Sequence, residues 1–254
     1  MTIRLCLGNV GSGKTVAEVR NMYLSNQRIK TYSNIVTKLK NQIDINPSMI
    51  VEKTVVDTKK KRNGELENVY ETKLNMDFWK ENTDAKNIVI DEAHSIINSR
   101  RSMSKINVLL TDWIALIRRI LGSNDTGHGE LVLITQLPNR IDIICRDMAT
   151  KVSFHKCHYS KACKQCGYAW SENSEMPERL WQCVKCGSFR LLKYDHKIEV
   201  WDFANINIYN SWNEGYAGSK GNRPFYNHYF IIDIENYFPL YSTLQWDNLF
   251  SDLY

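Results

Sequence analysis

Residues 8–15 read Gly8-Asn9-Val10-Gly11-Ser12-Gly13-Lys14-Thr15, and they fill every fixed position of the pattern G-x-x-x-x-G-K-[ST]. The glycines let the backbone curl so that successive N–H groups of residues 8–15 form a nest for phosphate oxygens. Lys14 has the reach to meet a β- or γ-phosphate, and the Thr15 hydroxyl suits Mg²⁺. The flanks agree. Ile3-Arg4-Leu5-Cys6-Leu7 is a short apolar run that fits a buried strand. Val16, Val19, Met22 and Tyr23 then recur at helical spacing. A helix starting at Gly13 aims its positive end at bound phosphate. Strand, loop and helix in that order predict a nucleotide site in an α/β fold.

Working outward, Ile29-Lys30-Thr31-Tyr32 reads as a second strand. Residues 53–74 read as a β-hairpin about Asn63-Gly64, a strong turn signal. The hairpin tip carries Lys59-Lys60-Lys61-Arg62, which serves either as a solvated end or as a contact to nucleic-acid phosphates. Asn87-Ile88-Val89-Ile90 and Leu131-Val132-Leu133-Ile134 are continuous apolar strands. A helix is predicted over residues 105–121, with Leu109, Leu110, Trp113, Leu116, Ile117 and Ile120 on one face. Ser123–Gly129 reads as a loop, and residues 203–228 as a long irregular loop. Lys197–Trp201 and Tyr229–Asp233 read as further strands, and the tail places Trp246, Leu249, Phe250 and Leu253 at helical spacing. Apolar strands alternating with helices predict a mostly parallel central sheet flanked by helices.

The second half of a nucleotide site follows from the strand ends. Asp91-Glu92 closes the strand at Ile90, where ligands gather in open α/β sheets. Asp91 is assigned to Mg²⁺ and Glu92 to orienting the attacking water. Gln136 ends the next apolar strand and is placed to sense the γ-phosphate or to cap a turn before Pro138. Arg118 and Arg119 lie on the helix between these strands. Either can act from a neighbouring subunit on charge developing at the phosphates, with Arg119 the more outward-facing; both can equally be surface arginines. Arg140 and Arg146 are weaker candidates, and His94 reads as a hydrogen-bonded structural histidine.

Two C-x₂-C-G knuckles, Cys163–Gly167 and Cys183–Gly187, leave 16 residues between Cys166 and Cys183. That spacing predicts a structural Zn²⁺ held by Cys163, Cys166, Cys183 and Cys186. Cys157, His155 and His158 lie close but are surplus to four thiolates. Such a ribbon either grips nucleic acid or staples an insertion with little core of its own. Lys161, Lys164, Lys185 and Arg190 beside Tyr168, Trp170, Trp181 and Phe189 suit both roles. Cys6 and Cys145 read as buried thiols. The expected organisation is an ATPase core over 1–156, a zinc-ribbon insertion over 157–192, and C-terminal strands over 193–254 that complete the core.

Composition sets the frame. The 254 residues are 43% hydrophobic and 24% charged with a net charge of +5, ordinary for a globular protein and compatible with nucleic acid. No run approaches the ~20 apolar residues that cross a bilayer, and the opening residues leave no room for a signal peptide. A cytoplasmic setting, with virion association as a variant, is the expectation. Seven cysteines in that setting favour metal over disulfides.

Together, Gly8–Thr15, Ile90-Asp91-Glu92-Ala93-His94 and Ile134-Thr135-Gln136 resemble the FtsK/HerA-type ATPases. More narrowly they resemble the viral genome-packaging ATPases and the zonula-occludens-toxin-like assembly ATPases of filamentous phages. Tyr32-Ser33-Asn34-Ile35 and Leu240-Tyr241-Ser242-Thr243 are similar to segments of that branch. The resemblance covers residues 1–155 and part of 225–245. It implies a RecA-like (ASCE) motor domain, ATP with Mg²⁺, ring assembly, and movement of double-stranded DNA, with a capsid or virion membrane protein as a further partner. The filamentous-phage proteins carry a transmembrane segment after the ATPase domain. Its absence here favours a packaging motor, ahead of a membrane-associated assembly ATPase or an ATP-switched replication or regulatory DNA binder. The cysteine module is not a general feature of the family.

Overall fold

The computed structural model describes residues 2–25, 29–60, 65–81, 84–99, 104–124, 127–163, 165–166, 168–171, 183, 185–189, 191–215 and 224–242. The chain opens with strand β1 (Thr2–Leu7), the phosphate loop and helix α1 (Lys14–Ser25). Strands β2 (Lys30–Ser33) and β3 (Gln42–Asp44) and helix α2 (Pro47–Ile50) lead to a hairpin, β4 (Val51–Lys60) and β5 (Leu66–Leu74). Helix α3 (Met76–Glu81), strand β6 (Lys86–Ile90) and helices α4 (Ala93–Ile96), α5 (Lys105–Ala115) and α6 (Ile117–Ile120) follow. A two-stranded piece, β7 (Ser123–Asn124) and β8 (Gly127–His128), precedes β9 (Glu130–Thr135) and helix α7 (Ile143–Asp147). The chain continues through β10 (Lys151–Cys163), β11 (Ala169–Ser171), β12 (Leu191–Phe203), helix α8 (Ile206–Asn213) and β13 (Asn227–Ile231). A 3-10 segment, Ile234–Leu240, closes the described chain.

The main sheet runs β13-β12-β10-β1-β9-β6-β2-β3, with β11 paired to β10. From β10 to β3 every neighbouring pair is parallel. β12 and β13 add antiparallel to that edge. The expected mostly parallel sheet is present, and the C-terminal strands extend it. β1 is central, and β9 separates it from β6. The C-terminal ends of these three neighbours therefore carry the phosphate loop, Gln136 and Asp91 side by side.

Helices cover both faces, as continuous apolar strands require. One face holds Leu5, Leu7, Ile88, Leu131 and Leu133 beneath α5, with Trp113 fully buried. The other holds Cys6, Val89, Val132 and Ile134 beneath Val16, Val19 and Met22 of α1. Cys6 and Cys145 are buried, as expected. Under α1 the buried Arg4 guanidinium lies 3.0 Å from Glu18 and 2.9 Å from Glu130, tying β1, α1 and β9 together.

Three elements differ from expectation. The helix over 105–121 breaks at Leu116, whose N–H is shared among the Asp112, Trp113 and Ile114 carbonyls, and restarts as α6. The loop expected over 203–228 contains α8. Asn205 caps it by accepting from the Ile208 N–H at 3.0 Å, and Ile206 and Tyr209 face the core. The asparagine-rich composition concealed that cap. The Ser123–Gly129 loop folds back as β7 and β8. The 53–74 hairpin is present, with a bulge between Val55 and Asp57; Lys61, Arg62 and its turn lie outside the described residues, as does the tail from Thr243.

Candidate nucleotide site and cysteine cluster

The phosphate loop owes its shape to two glycine constraints. Gly8 has φ +149, and a Cβ there would stand 2.5 Å from the His155 carbonyl oxygen. Gly13 has φ +84, and a Cβ would meet Ile198 at 2.5 Å. α1 therefore starts hard against β12, with its free N–H groups toward the loop. Lys14 Nζ donates to the Gly8 carbonyl at 2.9 Å, the Asn9 carbonyl at 2.8 Å and Ser12 Oγ at 3.3 Å. Burial lowers its pKa, against the pull of Asp91 and Glu92. The ammonium thus lies inside the nest, where phosphate oxygens can replace the carbonyls. Val10 crests the loop, 80% exposed.

Behind the loop, buried His155 places Nδ1 3.3 Å from the Leu7 carbonyl and 3.1 Å from the Ser153 carbonyl. Burial, with Arg4 second, pushes its pKa down to about 4. The ring is neutral and donates through Nδ1–H, linking β10 to the last residue before the loop.

Asp91 leaves β6 directly opposite Thr15, whose hydroxyl donates to Asp91 Oδ2 at 2.8 Å. Asn34 fixes the Asp91 backbone from both sides, donating to its carbonyl at 3.0 Å and accepting from its N–H at 2.7 Å. Burial raises the Asp91 pKa, opposed by the Thr15 hydroxyl and the Glu92 N–H. The Thr15 hydroxyl and Asp91 carboxylate form the hard oxygen pair that would hold Mg²⁺.

Glu92 has φ 50 and ψ 40, the only left-handed non-glycine residue among those described. The turn aims its carboxylate at β9, where Gln136 Nε2 donates to Oε1 at 2.8 Å. His94 Nδ1 lies 3.3 Å from Glu92 Oε2 and 3.1 Å from Thr135 Oγ1. The exposed carboxylate is therefore held by an amide on one oxygen and an imidazole on the other. A left-handed glutamate costs roughly 1–3 kcal/mol, a strain characteristic of functional positions.

A cleft of about 310 Å³ joins these groups. Gly11–Val16 form its floor; Asp91, Glu92 and Gln136 line one wall. Cys157, Ile234, Phe238 and Tyr241 line the other. The last three come from the C-terminal segment, which is anchored over α1 by Arg20–Asp233 at 2.9 Å and by the Tyr23–Tyr237 edge contact. Tyr241 bridges Thr37 beyond β2. Sequence reasoning flagged Tyr241 only through the resemblance, missed Ile234 and Phe238, and treated Cys157 as a bystander to zinc.

Arg118 and Arg119 are exposed on α6. Lys86, the first residue of β6, donates through Nζ to the Ile120 carbonyl at 2.9 Å. Both arginines therefore lie near the end of β6 opposite Asp91 in the same chain. Arg140, four residues beyond Gln136, is exposed at the nucleotide end.

Residues 2–163 match the zonular occludens toxin (Zot) family, a span longer than half the chain. The chain belongs to the Zot family. The Zot family has a P-loop ATPase-like fold, in keeping with the phosphate loop and acidic strand end described above. Among solved structures, the chain is similar to the N-terminal domain of zonular occludens toxin from Neisseria meningitidis, at 16% identity and a TM-score of 0.45. That likeness covers 95% of this chain and all of the other. No curated protein matches the sequence. No helix among the described residues is long and apolar enough to cross a membrane.

The cysteine cluster begins at Cys163, the last residue of the Zot match, and its other three cysteines lie beyond it. β10 and β12 pair from Val152–Phe203 out to Cys163–Leu191, so the boundaries drawn at 156/157 and 192/193 fall inside continuous strands. At their far end Cys163, Cys166, Cys183 and Cys186 place all four Sγ atoms within 4.8 Å of one another. Two of the Sγ pairs are 3.6 Å apart, too long for a disulfide and close to the ~3.8 Å edge of a tetrahedron with ~2.3 Å Zn–S bonds. Gly187, at φ +68, turns the second knuckle as expected. The donor set suits Zn²⁺. Of the aromatics and cations expected around the knuckles, Tyr168, Lys185 and Phe189 are exposed; Lys164, Trp181 and Arg190 lie outside the described residues, as do the side chains of Lys161 and Trp170.

Proposed function

We propose that this chain is a Mg²⁺-dependent ATPase whose turnover drives virion assembly by moving DNA, and that it works as a ring. The carrying observation is the single cleft in which Lys14, Thr15, Asp91, Glu92 and Gln136 converge. In this reading Lys14 and the loop N–H groups hold the phosphates, while Thr15 and Asp91 hold Mg²⁺, which stabilises charge on the phosphate oxygens. Glu92, fixed by Gln136 and His94, accepts a hydrogen bond from the attacking water and aligns it. A subunit-bridging arginine is proposed from Arg118, Arg119 or Arg140 of a neighbour. Membership of the Zot family supports assembly over a metabolic kinase, and the four thiolates are proposed to hold structural zinc.

The test is ATP turnover by the full chain, with and without DNA, alongside the mass of the assembly. Glu92→Gln is expected to bind ATP like the parent and lose hydrolysis by about 100-fold or more. Unchanged turnover in Glu92→Gln, or turnover indifferent to DNA, would overturn the respective part of the reading.

A further inference from the structure

β10, β12 and β13 turn one face toward α1 and the other away from it. Register places Phe154, Lys156 and His158 of β10 on the same face as Lys197, Glu199 and Trp201 of β12 and His228 and Phe230 of β13. Its lower end is packed by α8, with Trp212 5.8 Å from Trp201. From there the rings continue outward. Trp201 stacks on His228 at 5.2 Å and 11°, and His228 meets Phe230 at 5.5 Å. Lys197 Nζ stands 5.2 Å over the Phe230 ring. His228, Lys156 and Lys197 are exposed, and Phe230 is 47% exposed.

Among the described side chains of this face the single carboxylate is Glu199. Its two oxygens lie 2.6 Å from His158 Nε2 and 2.7 Å from His228 Nε2, so it serves to hold the two rings in place. Lys156 and Lys197 supply exposed ammonium groups beside the rings. A groove of about 570 Å³ continues from the face to the crest of the phosphate loop, lined by Val10, Gly11, Phe154, Lys156, Trp201 and Trp212.

We infer that this face binds single-stranded nucleic acid. A row of π faces with interspersed lysines matches unpaired bases, which can stack on rings while their phosphates meet ammonium groups. A duplex keeps its bases stacked on one another and offers these rings nothing. The groove leads a bound strand to the loop that holds the γ-phosphate end of ATP. Trp201, His228 and Phe230 lie outside residues 2–163, so the ring row itself is not part of the Zot match, although the β10 side of the face is. The inference deepens the DNA-moving reading by naming a surface and a strandedness. It does not depend on hydrolysis.

The test is binding of a fluorescein-labelled oligo(dT) to the full chain, by anisotropy, without nucleotide. Phe230→Ala is expected to weaken binding about tenfold, and Phe230→Tyr to restore it. Lys197→Ala is expected to lower the salt slope by roughly 0.7. Basal ATP turnover should stay at the parental level in all three, which shows that the fold is intact. Equal affinity of Phe230→Ala and parent for oligo(dT) would overturn the inference. So would preference for duplex over oligo(dT), or a changed assembly mass in Phe230→Ala with oligo(dT) affinity unchanged, the mark of a subunit contact. Loss of ATP turnover in the parental chain would sink the motor reading while leaving this result to stand or fall alone.

Discussion

The Thr15 hydroxyl donates to Asp91 Oδ2 across 2.8 Å, joining the residue after the loop lysine to the residue after β6. These positions are 76 apart in sequence and meet only because β9 fits between β1 and β6 with both neighbours parallel. The contact preorganises two oxygen ligands before any metal arrives. Asn34, just after β2, holds the Asp91 backbone and so fixes the point from which the carboxylate projects. Asp91→Asn preserves this hydrogen bond but removes the charge that Mg²⁺ requires. Turnover should fall about 100-fold or more, and ATP affinity should no longer respond to Mg²⁺. Fluorescent-nucleotide titration with and without Mg²⁺ checks this, and an undiminished Mg²⁺ response in the variant would remove Asp91 from the metal site.

Glu92 has a backbone that a glycine would adopt without penalty. If its strain is the cost of aiming the carboxylate at Gln136, then Glu92→Gly should stabilise the chain by about 0.5–1 kcal/mol while abolishing turnover. Opposite signs for stability and activity distinguish a functional strain from an ordinary structural residue. Urea unfolding beside an ATPase assay reads both, and a destabilised Glu92→Gly would contradict the strain argument.

Much of the nucleotide site was legible because its signals are local. Gly8–Thr15 carries its own backbone requirement, and the apolar runs before Asp91 and Gln136 place both residues at strand ends. The facing wall of the cleft was not legible. Ile234 and Phe238 reach the loop through the long-range docking of a 3-10 segment on α1, and their spacing has no period. α8 was hidden because Asn205, Asn207, Asn210 and Asn213 resemble loop composition, whereas Asn205 is a cap. The arginines were read from exposure on a helix, which says nothing about which end of the sheet the helix occupies. Phe230 reads from sequence only as a strand residue and His228 as the end of a loop, since the ring row exists only once three strands are in register.

The cysteine cluster is predicted to hold one zinc per chain, seen as a mass increment under native conditions and lost in Cys183→Ser. Cys163 is six residue steps along β10 from Cys157 at the cleft, about 20 Å at strand rise. DNA-independent turnover in Cys183→Ser should therefore remain within about twofold of the parent. Stoichiometric zinc persisting in Cys183→Ser would exclude the four-thiolate site.

His155 makes the phosphate loop sensitive to acid. Its folded pKa of about 4 lies below the ordinary 6.5, so between those values the unfolded chain binds more protons than the folded one. The stabilisation from burying a neutral ring is complete above pH ~6.5 and is lost as pH falls toward 4. At pH 5.0 the loss is about 2 kcal/mol, at roughly 1.36 kcal/mol per unit. Protonation also places a charge beside Arg4 and Lys14, and it puts a buried cation behind Gly8, where Nδ1–H now links β10 to Leu7. The folded chain's ring takes up its proton only as pH approaches 4, so stability should decline across this window while ATP affinity holds until its lower end. His155→Gln keeps an N–H donor without a titrating ring. Its urea-unfolding free energy should change less than the parent's between pH 7.5 and 5.0, by about 2 kcal/mol. Parallel pH profiles for the two chains would show that the ring does not carry the effect.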